Sequence, residues 1–109
     1  MIFSSYVCDM NTLLQALDPK KVEKVAFILK TIGHPVRLGI IDLLIHHKEL
    51  SVNEICDRLE LEQSLVSHHL TNMKLKGILD SKREGKNIYY SLILQEVKTV
   101  IECMSKCPI

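Results

Sequence analysis

Residues 51–92 read SVNEICDRLELEQSLVSHHLTNMKLKGILDSKREGKNIYYSL, and the fold turns on this stretch. Ser51-Val52-Asn53-Glu54 has the spacing of a capping box, in which hydroxyl and carboxylate satisfy each other's orphan backbone donors. The short helix it opens ends around Leu59 or Glu60 and turns Val52, Ile55, Cys56 and Leu59 inward. A tight connection through Leu61 leads to a second helix, roughly Gln63 to Lys76, closed by Gly77. Val66, Leu70 and Met73 form its apolar side, while Ser64, Ser67, His68 and Thr71 form the opposite side. An ordinary solvated face mixes Glu with Lys. Short hydroxyl side chains and an imidazole instead allow another polymer to approach closely. The period then changes, and Leu79–Arg83 and Ile88–Leu92 read as strands joined by the Gly-containing turn Glu84-Gly85-Lys86-Asn87.

Upstream, Asn11–Leu17 reads as a short apolar helix, and Asp18-Pro19 as a cap with Pro at the first position of the next. Val22, Val25, Ala26, Leu29 and Ile32 recur at helical spacing until Gly33. His34-Pro35 restarts a helix with Leu38, Ile41, Leu44 and Ile45 on its apolar face, fraying near His46-His47. His34 reads as a cap or packing residue, and His46 and His47 as surface residues. Downstream, Leu94–Cys107 is helical, with Val97, Val100, Ile101 and Met104 on one stripe and Pro108 at its end. The expected fold is mainly α with a β-hairpin wing. A short helix, a turn and a polar-striped helix make a helix-turn-helix whose second helix enters the major groove, and the basic hairpin lies against phosphates or the minor groove. The terminal helices, about 10–32 and 94–107, retain apolar stripes whose natural partners are each other and a second subunit.

The chain's 109 residues make one domain, 1–109, with 47% apolar and 25% charged residues. Aromatics are 5% and Trp is absent, which argues against a stacking platform for single strands. The net charge of +1 is no nucleic-acid signature, but its distribution is uneven. Glu49, Glu54, Asp57, Glu60 and Glu62 precede the second helix, and Lys74, Lys76, Lys82, Arg83 and Lys86 follow it. Such a local basic patch suits a phosphate backbone. No apolar run reaches the roughly 18 residues that span a bilayer, and Met1–Met10 lacks the pattern of a secretory signal, so the expected location is cytoplasmic, with no membrane partner. No Gly-rich phosphate loop, paired carboxylates or nucleophile with an evident base is present, so an enzyme is not expected.

Three segments resemble the ArsR/SmtB family of small winged-helix repressors. They are residues 32–44 (IGHPVRLGIIDLL), residues 63–70 (QSLVSHHL), and Lys76-Gly77-Ile78-Leu79 with residues 83–90 (REGKNIYY). The resemblance runs from about Val22 to Leu92. It implies a homodimer joined by the terminal helices, a palindromic operator in double-stranded DNA, and release when a metal, metalloid or oxidant acts. It also implies that Gln63, Ser64, Ser67 and His68 face bases and phosphates, that Arg83, Lys86 and Tyr89 belong to the wing, and that His69-Leu70 packs inward. Thr71, Lys74 and Lys82 lie on the same stripe and hairpin and complete the expected contact set. A winged-helix protein-interaction module that has lost DNA is the alternative, supported by the modest charge and the acidic run.

The chain departs from the family's two best-known sensor sites. Where the arsenic-sensing branch carries three Cys, this chain has Ser51, Asn53 and Cys56. The stretch matching the zinc ligands, Leu94 to Glu102, has no His. Cys56 falls on the inward face and reads as an inert small side chain. Cys103 and Cys107 stand one helical turn apart and could share one soft ion, with Cys8 as a third ligand. A disulfide from Cys8 to either would tie two elements together, whereas one between Cys103 and Cys107 would constrain a single rigid helix. The cofactor expectation is therefore a thiolate-bound metal or metalloid ion, or none.

Overall fold

A computed structural model describes residues 19–106. Its elements are α1 (Pro19–Ile32), α2 (Pro35–His46), β1 (Leu50–Ser51), α3 (Val52–Leu59), α4 (Gln63–Leu75), β2 (Leu79–Glu84), β3 (Asn87–Leu92) and α5 (Gln95–Ser105). The expected helix at Asn11–Leu17 lies outside the described residues, as do Cys8 and Cys107.

Local chemistry sets the boundaries. The His34 imidazole caps α2, its Nδ1 accepting from the Val36 amide at 3.1 Å. The capping box is complete: the Glu54 amide donates to Ser51 Oγ and the Ser51 amide to Glu54 Oε1, both at 3.1 Å. Helix α3 ends at Glu60, which adopts the left-handed conformation (φ 55°) and donates its amide to Cys56 O. Helix α4 ends in a Schellman arrangement. The Ile78 amide donates to Met73 O and the Gly77 amide to Lys74 O, each at 3.0 Å, with Gly77 at φ 82°. Met73 and Ile78 are both buried, supplying the apolar contact that accompanies this motif.

The wing is tighter than the sequence suggests. Strands β2 and β3 pair antiparallel from Leu79↔Leu92 to Glu84↔Asn87, leaving Gly85 and Lys86 as a two-residue turn. Gly85 has φ 62°, the conformation such hairpin turns require. The hairpin also belongs to a larger sheet. Leu50 pairs with Tyr90 and Ser51 with Tyr89, so β3 is the central strand in the order β1-β3-β2. The short β1 fastens the start of the helix-turn-helix to the base of the wing.

The core joins Ile28 and Ile32 of α1, Ile40, Ile41 and Leu44 of α2, and Ile55, Val66, Leu70 and Met73 of the helix-turn-helix. Leu79, Tyr90, Val97 and Val100 close it from the wing and α5. The approach of α2 to α3 is close: a Cβ at Gly39 would stand 3.2 Å from Leu59 Cδ2. The stripe expected on α1 is only partly used. Burial falls on Ile28, Thr31 and Ile32, whereas Val22 and Leu29 remain 44% and 41% exposed. Helix α5 begins at Gln95 rather than Leu94, and Glu96 in its first turn pairs with Lys24 of α1. Among the described residues no helix is long and apolar enough to cross a membrane.

Candidate nucleic-acid interface

Helix α4 divides cleanly. Val66, His69, Leu70 and Met73 are buried, while Gln63, Ser64, His68, Thr71 and Lys74 are exposed and Ser67 is half-buried. Its N-cap residue, Glu62, makes no side-chain cap hydrogen bond. The first-turn amides therefore have no side-chain partner there, which suits a helix end that meets phosphate.

The helix is seated by polar contacts as well as apolar ones. Arg37 Nε donates to His69 Nδ1 at 3.0 Å, and Arg37 Nη1 donates to Thr31 O at 2.9 Å. One guanidinium thus ties α4 to the end of α1. Because Nδ1 accepts, the neutral His69 ring carries its proton on Nε2. The His34 ring lies 4.6 Å from that of His69, and His68 meets it edge-on at 5.4 Å. Burial holds the His69 pKa below the usual histidine value, and the neighbouring His34, Arg37 and His68 act in the same direction. The inward packing implied for His69-Leu70 is present, with both residues buried.

The wing brings fewer available cations than its sequence implies. Lys82 Nζ lies 3.2 Å from both Glu49 and Glu84, and hydrogen bonds to these carboxylates raise its pKa. Lys74 Nζ donates to Ser81 Oγ at 2.7 Å, bracing the recognition helix against β2. Arg83 is exposed, with a long contact of 3.4 Å from Nε to Gly85 O across the turn. Lys86 stands exposed at the tip and shares a cleft with Gln63, Val52, Asn53, Asn87 and Ile88. The cleft brings the wing tip to the start of α4. Tyr89 is half-buried on the central strand, opposite Ser51 and Lys82. Sequence alone marks Asn53 as a first-turn residue of α3 and Asn87 as a hairpin-turn residue, and places neither in the contact set.

Two thiols, Cys56 and Cys103, lie among the described residues. Cys56 is half-buried against the core, and burial pushes its pKa up, as expected of an unreactive thiol. Cys103 is half-buried on α5. Among the described residues no cluster of three or more His, Cys, Asp or Glu could hold a metal ion.

With this geometry in place, known proteins supply the family. Residues 34–81 match the profile of the bacterial regulatory protein arsR family. The transcriptional repressor PagR of Bacillus anthracis is 42% identical over 89 residues, 82% of this chain and 89% of its own. This chain belongs to the ArsR family. The transcriptional activator HlyU of Vibrio cholerae is 36% identical over 93 residues, 85% of this chain and 84% of its own. The solved HlyU structure superposes on this ArsR-family chain with a TM-score of 0.73 at 35% identity, covering 82% of this chain and 96% of that one. The PagR crystal structure gives 0.70 at 40% identity, covering 80% and 99%. A further HlyU structure, described as reduced, gives 0.72 at 36% identity, covering 80% of this chain and 90% of that one. The winged-helix fold and the assignment as a transcriptional regulator rather than an enzyme follow from this membership.

Proposed function

We propose that this ArsR-family chain is a cytoplasmic homodimeric repressor of transcription whose affinity for its operator is set by a thiol-directed signal. The observation that carries the reading is the continuous exposed face of Gln63, Ser64, His68 and Thr71, with Lys86 brought beside it by the wing. In this reading α4 lies in the major groove. Ser67 and His68 meet base edges, Ser64, Arg83 and Lys86 meet phosphates, and Tyr89 supports the wing strand behind them. Two subunits place their half-sites roughly 34–36 Å apart on a palindrome.

Dimerisation through α1 and α5 is supported by the apolar surface that α1 leaves uncovered: Val22, Phe27 and Leu29 are each more than 40% exposed. A chain this small gains most by burying such surface against a second copy. The signal acts on some of Cys8, Cys103 and Cys107. It binds a metal or metalloid ion there or oxidises the thiols, and it discriminates between the DNA-competent and DNA-incompetent dimers. A relative described in a reduced state supports the redox branch.

Fluorescence anisotropy of the fully reduced chain on DNA from upstream of its own gene tests the reading. Titration with arsenite, zinc and a mild thiol oxidant follows, on the parent and on Cys-to-Ser variants at the three positions. Tight, salt-dependent binding released by one of the three agents in the parent alone is expected. Binding indifferent to all three would remove the thiols. No binding at low salt would remove that operator and favour the protein-interaction alternative.

A further inference from the structure

One side chain links the helix expected to meet a second subunit with the helix expected to read DNA. Arg37, half-buried in the first turn of α2, donates from Nη1 to the Thr31 carbonyl at the end of α1 (2.9 Å). Its Nε donates to His69 Nδ1 on α4 (3.0 Å). A planar guanidinium has its donors in a fixed fork, so the two acceptors hold each other in place through it. The α1 end is itself pinned: Thr31 is buried, and its hydroxyl donates to Phe27 O at 2.7 Å. His69 is 6% exposed, with the His34 ring 4.6 Å away and the His68 ring edge-on at 5.4 Å. A guanidinium can only donate, so His69 Nδ1 has to present a lone pair. A second proton on that ring would set two donors against each other, and the bond to Arg37 would be lost.

We propose that Arg37 is the positioning residue of the recognition helix: it sets α4 against the end of α1 only while His69 is neutral, so operator binding carries an acid limb. The effect on DNA rests on the repressor reading, whereas the tie itself is measured without DNA. In a dimer joined through α1, the angle between α1 and α4 sets the distance between the two reading helices. Loosening that angle lowers the fraction of dimers that match both half-sites, and apparent affinity falls with the fraction. Random duplex makes no such demand. The charged and titratable groups acting on His69 are His34 before α2, Arg37 on α2 and His68 on α4 itself. Burial and these three neighbours all disfavour its protonated form, which puts the acid limb below about pH 6.5. Protonation of His68, on the exposed face, adds positive charge toward phosphate and acts in the opposite direction.

The test uses the full, reduced chain. Nitrogen NMR of histidine-labelled protein should show His69 with its proton on Nε2, and Arg37→Gln should move its titration to higher pH by removing a cation. Operator affinity is then followed by anisotropy at constant ionic strength, within the pH range where circular dichroism shows the chain folded. It should be level above about pH 6.5 and fall below, by at most about tenfold per pH unit, the limit for one proton. His69→Asn offers an amide oxygen near the place of Nδ1. It should keep neutral-pH affinity within a few-fold and abolish the acid fall. Arg37→Gln should lower operator affinity on the order of tenfold at neutral pH and leave the salt slope as in the parent. It should also narrow the preference over an operator whose half-sites are spaced one base pair wider. A salt slope lower by about 1 would make Arg37 a phosphate contact and overturn the proposal. An acid fall that persists in His69→Asn, or a His69 proton on Nδ1, would also overturn it. Should Arg37→Gln not fold, the parent and His69→Asn decide between the same outcomes. A chain with the expected nitrogen spectra that binds no operator keeps the tie and loses both the repressor and the acid limb.

Discussion

The exposed face of α4 and the wing beside it carry the same kinds of residue to very different effect. On α4 the polar side chains Gln63, Ser64, His68 and Thr71 face solvent, and the helix start has no side-chain cap. On the wing, Lys82 is held by Glu49 and Glu84, and Lys74 reaches across from α4 to Ser81. Sequence identity alone would rank Lys82 with Lys86 as a phosphate contact. The structure separates them, because a cation between two carboxylates has an anion already. The recognition helix is thus built for exchange with a ligand, and the base of the wing is built to hold still.

The largest effect belongs to the helix. Ser67→Ala with His68→Ala should abolish specific operator binding while leaving oligomeric state and Tm near those of the parent. Base-edge contacts are worth about 1–3 kcal/mol each, so a loss of roughly a hundredfold or more is expected in anisotropy. Operator affinity unchanged by the pair would take base reading away from this face. At His69 the two sides of the same helix can be told apart. Its pKa is held below the histidine value by burial, aided by His34, Arg37 and His68, so the unfolded chain binds the proton more readily. The contribution to stability is full above the unfolded value of about 6.5 and is lost as pH falls from there through the lower folded value. Denaturant midpoints should therefore drop on acidification from neutral pH, and His69→Gln should flatten that dependence. An equal drop in the variant would place the acid sensitivity elsewhere.

Much of the architecture was legible because its signals are local. The Ser51–Glu54 box, the Gly77 stop and the change of period at Leu79 each lie within a few residues, and each appears in the fold. What was not legible depends on distant partners. Strand β1 is two residues long, and its Ser51 doubles as the cap of α3, so no alternation could reveal it. The face α1 buries could not be chosen from its spacing, because its apolar residues wrap around more than one side. Ile28 and Ile32 go into the core, and Val22 and Leu29 are left outside. The state of Lys82 is set by Glu49, which is far away in sequence and arrives only through the sheet. The Arg37–His69 bond likewise spans 32 residues.

Lys86→Ala brings a smaller change to the wing. It should weaken binding at specific and random sequences alike and reduce the slope of log affinity against log salt by about 1. A slope equal to the parent's would remove Lys86 from the phosphate contacts.

The smallest effect tests the wing's restraint directly. Glu49 is the less exposed of the two carboxylates on Lys82, and its removal leaves the ammonium with Glu84 alone. Glu49→Gln should then raise affinity for any duplex at low salt by a few-fold, and Glu49→Gln with Glu84→Gln by more, since one released cation adds at most about 0.9 to the salt slope. Lys82→Ala in the parent should leave that slope almost unchanged, while the same substitution in the doubly neutralised chain should lower it. The contrast between those two backgrounds is the measurement that matters. A Lys82→Ala change that costs the parent as much as Lys86→Ala would show that DNA displaces the carboxylates, and the wing would then belong with the helix as a surface open to exchange.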